Sequence, residues 1–521
     1  MLKLIKKYYR IFFLIRKYIS GKKYYDQRSF IYNERYSENL NFGNIKYFLK
    51  SNYFFNVTKN IFNKKNNKKI LEVIIITFSK KNSFLKYVLD KKIFLKKIEL
   101  NKLSLLILPV YNFKKIQIKN KDVVKKIFYI KKNKKKKLVL LIIVDGLSKS
   151  ISDEFSNLNN YNGLEKFNNA WANSEWTLPS FSNLISGKYT STHLCYRPNS
   201  YYFTEKEREK VICKKNIFEF FSEIGFVTGC YTGSHRVNPS YDHFKSVDIG
   251  RILHNKEAIE ILDNVNTQIN TFSNSSNFII AHLVDGHHSL KGENTFNYSS
   301  HQKPSNLFFD IKKENENSDK IKSPFKIYDN YLEEDKKMRY RYTDYILKNF
   351  LENIHYNKYD QYSVMIFGDH GTKFSSKISA QQVLNTEVNN IGFYVKDNSI
   401  KKKINNNLIE IVDIFPSLLY KYNKNFKIGF DGSNSIFSKQ KSDYAILESI
   451  YYPKYHLAII FGEYKIYNIF DMNDSFHLSN HKIYFNFNNI FQKVEIPNYI
   501  KEKLIQKTLD HIKKTKFKYL K

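Results

Sequence analysis

The chain has 521 residues, of which 42% are hydrophobic and 16% aromatic, and its formal net charge is +37 at pH 7. That length and apolar content exclude a disordered chain and allow a large core in two or more structural units. So positive a balance admits nucleic acid, an anionic membrane surface or polyanionic carbohydrate as partners, but the lysines are scattered among Asn, Ile, Tyr and Phe rather than striped, which disfavours nucleic acid.

Cys195, Cys213 and Cys230 are isolated and odd in number, which argues against a disulfide framework and suits a reducing, cytoplasmic setting. At the start of the chain, basic residues surround one short apolar run, Ile11–Ile15. The run is too short for a secretory leader or a membrane span. As a basic amphipathic helix it packs on the body or makes peripheral contact with the anionic inner face of a membrane. Residues 1–136 read as an N-terminal region of strands and helices without a recognisable motif, with apolar segments at Ile70–Phe78 and Leu103–Val110. The basic run closing at Lys134–Lys137 reads as a solvated linker.

Three apolar runs follow, each ending in an aspartate: Leu138–Val144 before Asp145, Phe278–Val284 before Asp285, and Ser363–Gly368 before Asp369. Runs apolar on both faces are what strands of a covered parallel sheet require. Helical patterns separate them, at Asn216–Ile224 and Tyr340–Asn353. The alternation predicts an α/β fold with a doubly wound, mainly parallel sheet. In such a sheet the carboxyl ends of the strands share one edge, which gathers the three aspartates at one rim.

Between the first two runs lies SEWTLPSFSNLISGKYTSTH, Ser174–His193. Pro179 near its start and Gly187 after it predict a short helix over about Pro179–Ser186. Thr177 then stands at the helix mouth, where the dipole favours an anion beside a nucleophile. Taken alone, Thr177 is an N-cap residue. With Asp145, Asp285, Asp369 and His370 at the same rim, and His287 and His288 close by in sequence, the set offers hard oxygen and imidazole donors for a divalent metal ion: Zn, Mn, Mg or Ca. Such an ion would lower the pKa of the Thr177 hydroxyl and neutralise an anionic ester.

In this order, the elements Asp145-Gly146, Thr177–Gly187, Asp285-Gly-His287 and Gly368-Asp369-His370-Gly371 resemble the alkaline phosphatase superfamily, its sulfatase branch most closely. The resemblance continues through NIFEFFSEIGFVT at Asn216–Thr228, IVDIFPSLL at Ile411–Leu419 with Asp431-Gly432 after it, and the segments Leu457–Ile466 and Ile469–Asp471. It implies a catalytic domain over 137–440, a small C-terminal α+β subdomain with a basic tail over 441–521, and an additional N-terminal region. It further implies Asp145, Asp369 and His370 as metal ligands, with Thr177 as nucleophile and ligand. Asp285 is a further metal ligand on this reading. His287 is catalytic, and His235 and His288 bind substrate.

Two departures bear on the reaction. Sulfatases of this pattern carry Cys or Ser at the nucleophile position and Arg four residues later, for conversion to formylglycine; here the residues are Thr177 and Phe181. Threonine cannot give that aldehyde, and Thr with a single Asp is the pattern of the superfamily's phosphatases, phosphodiesterases and phospho-head-group transferases. The Asp-x-x-x-His spacing of a second metal falls on Ser289, which favours one ion. The expected activity is therefore a metal-dependent hydrolase or transferase acting on an anionic phosphate ester, carried on a glycan in one reading. The alternatives are a sulfuric ester hydrolase and a non-catalytic metal- and polyanion-binding protein. Trp171 and Trp176 read as packing residues, and His456 as either a site residue or an edge-strand residue. The Lys-rich tail after Lys501 reads as a solvated amphipathic helix. The oligomeric state is left open.

Overall fold

The structure is a computed structural model. It describes residues 61–63, 70–78, 83–89, 92–98, 103–109, 115–118 and 124–131, then 136–195, 216–234, 237, 247–253, 256–286 and 330–371. Beyond these it describes residues 384–399, 403–423, 429–433, 435–437, 442–451, 454–473, 477–487, 496–515 and 517–519. The expected N-terminal amphipathic helix, Cys213, His235, His287 and His288 lie outside the described residues.

The described N-terminal residues form strands: β1 (Ile61–Asn63), β2 (Ile70–Phe78), β3 (Ser83–Leu89), β4 (Lys92–Ile98), β5 (Leu103–Pro109), β6 (Lys115–Ile118) and β7 (Val124–Lys131). They pair antiparallel in two small sheets, ordered β1-β6-β3-β4 and β5-β2-β7.

The central sheet has eight strands: β8 (Lys137–Val144), β9 (Glu165–Trp171), β10 (Phe226–Thr232), β11 (Ile249–Ile252), β12 (Ser276–Leu283), β13 (Gln361–Gly368), β14 (Phe393–Asp397) and β15 (Ile404–Glu410). Their order is β11-β10-β12-β8-β13-β14-β9-β15, and β14 alone runs against the rest. The expected mainly parallel sheet is the one observed. Both faces of β8 are buried, as its unbroken apolar run requires. Val139, Leu141 and Ile143 pack toward the helices Thr177–Ser186, Ile217–Glu223 and Ile414–Tyr422. Leu138, Leu140, Ile142 and Val144 pack on the other face, with the helices Ala258–Thr271 and Asn330–Glu352.

The helix ends follow local chemistry. Asn216 opens Ile217–Glu223 with a capping box: its side chain accepts the Glu219 N–H while the Glu219 carboxylate accepts the Asn216 N–H. Gly187 closes Thr177–Ser186 in the left-handed conformation, with φ of 63°. A Cβ there would meet the Phe430 ring at 2.6 Å, so glycine is required twice over.

A second sheet holds β16 (Tyr444–Tyr451), β17 (Lys454–Phe461), β18 (Tyr464–Met472), β19 (His477–Phe487) and β20 (Lys518–Tyr519), in that order. The first four form an antiparallel meander. The helix Asn498–Lys514 covers it through Ile500, Leu504 and Ile512, so the tail expected to be solvated is packed along one face and wet along the other. His456 sits on β17, an interior strand rather than an edge, and its Nδ1 lies 2.7 Å from the Tyr467 hydroxyl. Among the described residues no helix is long and apolar enough to cross a membrane.

Candidate active site and metal centre

Register brings the site together. Val144 of β8 pairs with Leu283 of β12 on one side and Gly368 of β13 on the other, so these strands end level. The residues after them, Asp145 and Asp369, therefore leave the sheet side by side. Both are buried, at 3% and 1% exposure. Ligand atoms of Asp145, Asp369 and His370 lie within 4.8 Å of one another, and among the described residues they are the one such cluster of three.

Each side chain is aimed by its neighbours. Asp369 Oδ1 accepts the N–H groups of Gly146, at 3.1 Å, and of His370, at 3.0 Å. Its other oxygen, Oδ2, is buried and has no hydrogen-bond partner. His370 Nδ1 lies 2.9 Å from the Gly371 carbonyl, so this nitrogen carries a proton and Nε2 faces the carboxylates, where a bound cation would meet its lone pair. Nε2 is 3.6 Å from Asp145 Oδ1 and 3.5 Å from Asp369 Oδ2. The Tyr340 hydroxyl donates to the Asp145 carbonyl at 2.8 Å, tying the long helix to the strand end.

Thr177 is the first residue of its helix, and Trp176 occupies the cap position. The helix thus begins two residues earlier than proline placement predicts, and Thr177 stands inside the first turn. Its Oγ1 is 3.4 Å from His370 Nε2. Phe181 is 1% exposed and belongs to the core, in a helix whose ten residues are all buried.

Electrostatics match this geometry. Burial raises the Asp369 carboxyl, but the charges of His370 and His282 and the Gly146 N–H outweigh it and hold the group well below the usual carboxylate range. Burial lowers His370, yet the charges of Asp369 and Asp145 overcome it and the imidazole ends raised. The charge of buried Lys336 opposes that rise. A divalent cation fits this donor set: two carboxylates and an imidazole lone pair converge, and one buried carboxylate oxygen lacks any other partner.

Asp285 is placed differently. It sits at the same sheet edge, but its Oδ1 accepts the Ala258 N–H at 3.1 Å, at the start of the helix on the opposite face. Burial pushes its carboxyl up to about 6. The structure therefore brings Asp145, Thr177, Asp369 and His370 together and turns Asp285 toward the helix Ala258–Thr271.

Two residues at the centre were not expected from sequence. His282, fully buried on β12, has Nε2 3.6 Å from Asp145 Oδ2 and 3.8 Å from Asp369 Oδ2. Its one signal is a histidine inside the apolar run FIIAHLV. Lys336 lies on the helix Asn330–Glu352, outside every motif read from the sequence and 33 residues before Asp369, and the fold brings its charge within reach of His370.

The profile of the Sulfatase family matches residues 137–420, more than half of the chain. Among solved structures, the phosphonate monoester hydrolase of Silicibacter pomeroyi superposes with a TM-score of 0.54 at 11% identity, over 73% of this chain and 96% of its own. A protein of the alkaline phosphatase superfamily from Vibrio parahaemolyticus gives 0.47 at 12% identity, over 73% and 87%. A protein of a Bacteroides thetaiotaomicron locus for glycosaminoglycan metabolism gives 0.48 at 14%, over 71% and 93%. A comparison with curated protein sequences finds no match. The sheet shared with the phosphonate monoester hydrolase is a likeness of fold, and the profile match over more than half of the chain makes this chain a member of the Sulfatase family.

Proposed function

We propose that the chain is a divalent-metal-dependent hydrolase or transferase of phosphate esters, with Thr177 as the nucleophile. The observation that supports this most is the placement of Thr177 Oγ1, 3.4 Å from His370 Nε2 and at the positive end of a ten-residue helix. Asp145, Asp369 and His370 would hold the ion, which supplies Lewis-acid stabilisation of the Thr177 oxygen and of the ester's nonbridging oxygens. Thr177 Oγ1 bonds to phosphorus as the bond from phosphorus to the ester oxygen breaks. The Thr177 hydroxyl proton passes to solvent water, and a protonated His287 or His235 gives its proton to the leaving alcohol oxygen. Water or an acceptor alcohol then takes the phosphoryl group from Thr177 and restores the hydroxyl.

Phosphate is preferred over sulfate because Thr177 cannot be converted to formylglycine and because Phe181, four residues on, is buried in the core. Buried Lys336, close enough to influence His370, supplies positive charge that suits an anionic ester. The test is a panel of aryl phosphate, phosphodiester and aryl sulfate substrates with Zn, Mn, Mg and Ca, run on the wild type and Thr177→Ala. The expected result is phosphoester turnover that drops at least ~1000-fold in the variant, as for loss of a covalent nucleophile. Turnover of sulfate alone, or full activity in Thr177→Ala, overturns the reading.

A further inference from the structure

We infer that His282 is a second imidazole ligand of the cation site, opposite His370. The inference rests on reading Asp145, Asp369 and His370 as a metal centre. Its own basis is the hydrogen-bond arithmetic around one histidine on β12.

His282 is fully buried, and its Nε2 has no hydrogen-bond partner. The other ring nitrogen, Nδ1, lies 3.3 Å from the Thr232 hydroxyl. That hydroxyl has one proton and gives it to the Ser234 carbonyl at 2.9 Å. It accepts the Ser234 N–H at 3.0 Å, which leaves one lone pair for the ring. Nδ1 is therefore the donor, and in the neutral ring Nε2 carries a bare lone pair. That lone pair would face two carboxylates in a buried setting, so Nε2 must carry either a proton or a bound cation, and the cation is assigned to it.

The spacing agrees. Nε2 is 3.6 Å from Asp145 Oδ2 and 3.8 Å from Asp369 Oδ2, beyond hydrogen-bond reach. Two donors sharing one ion with bonds of about 2.0–2.2 Å stand roughly 3.3–3.6 Å apart in a tetrahedral arrangement. The imidazoles flank the carboxylates: His370 approaches Asp145 Oδ1 while His282 approaches Oδ2, and both approach Asp369 Oδ2, the oxygen without a hydrogen bond. The Thr232 hydroxyl plays for His282 the part that the Gly371 carbonyl plays for His370, setting the tautomer that presents Nε2.

The test uses the full chain loaded with Co(II) alone, followed by X-ray absorption and visible spectroscopy. The wild type is expected to show two imidazole nitrogens on the metal and His282→Ala one, with a shifted visible band and Co(II) affinity reduced on the order of 100-fold or more. Thr232→Val, which removes no ligand, is expected to keep both imidazoles and to lose about 10-fold in affinity. One imidazole in the wild type overturns the inference and leaves the metal centre standing, and needs no variant to fold. Unchanged spectra and affinity in His282→Ala also overturn it, as does weaker binding with an unchanged imidazole count. A wild type that binds no Co(II) overturns the inference and the proposed metal-dependent function together.

Discussion

The hydroxyl of Tyr340 donates to the backbone carbonyl of Asp145 at 2.8 Å, so a helix on one face of the sheet sets the height of a carboxylate used on the other. Gly286 lies against the same ring: a Cβ there would fall 2.2 Å from the ring carbon that bears the hydroxyl. Gly286→Ala must displace Tyr340, at a cost of about 1–3 kcal/mol for overpacking. It is expected to lower both melting temperature and metal affinity. Tyr340→Phe, which loses only the hydrogen bond, should cost ~1 kcal/mol. Metal titration and thermal unfolding of both variants decide it; equal metal affinity in Gly286→Ala and wild type would contradict the coupling.

Metal removal gives a second prediction. Without a cation, Asp145 and Asp369 face each other in a buried setting, with His370 Nε2 3.6 and 3.5 Å away. Adding metal at 100 times its dissociation constant should stabilise the fold by about 2.7 kcal/mol, and chelation should reverse it. A melting temperature indifferent to metal and chelator would rule out a cation bound by the native state at this site.

Asp285 makes stability depend on pH in a definite direction. Burial raises its pKa from 3.8 to about 6, so the folded state prefers the protonated form. The stability this contributes is full below pH 3.8 and is lost as pH rises through about 6. Asp285→Asn keeps an acceptor for the Ala258 N–H and removes the charge. In the metal-free protein it should raise stability by roughly 1–3 kcal/mol at pH 8 and little at pH 4. Urea unfolding at both values reads this out, and an equal shift at each pH would count against it.

Glu448 predicts how far the second sheet matters. It is fully buried and accepts the Ser191 N–H at 2.8 Å, the Ser191 hydroxyl at 2.5 Å and the Tyr455 hydroxyl at 2.6 Å, with His511 Nε2 at 2.7 Å. Burial raises its carboxyl, but His511, Ser191 and Tyr455 outweigh that and leave it lowered. The carboxylate thus joins the C-terminal helix to the turn just beyond the Thr177 helix. His511→Ala should cost about 3–5 kcal/mol, as when one partner of a buried pair is removed. Denaturant unfolding checks the magnitude, and a loss below ~1 kcal/mol would show that the three remaining donors suffice.

What the amino-acid sequence alone determined is the sheet and its rim. Leu138–Val144 is apolar at every position, which only a strand covered on both faces tolerates, and the aspartate after each such run must emerge at the carboxyl edge. Gly187 likewise marked a helix end because few residues adopt its positive φ. What the tertiary structure decided is which rim residues face one another. Along β12, Phe278 and Ile280 point to the Thr177 side and Ile279, Ala281 and Leu283 to the other, so His282 shares the face of Asp145 while Asp285 turns to the helix behind. Local sequence spacing could not settle that, because a one-residue change of phase moves a side chain across the sheet. The approach of Lys336, and the Thr232 hydroxyl that sets the His282 tautomer, depend on contacts between elements far apart in the chain, so they exist only once the sheet is assembled.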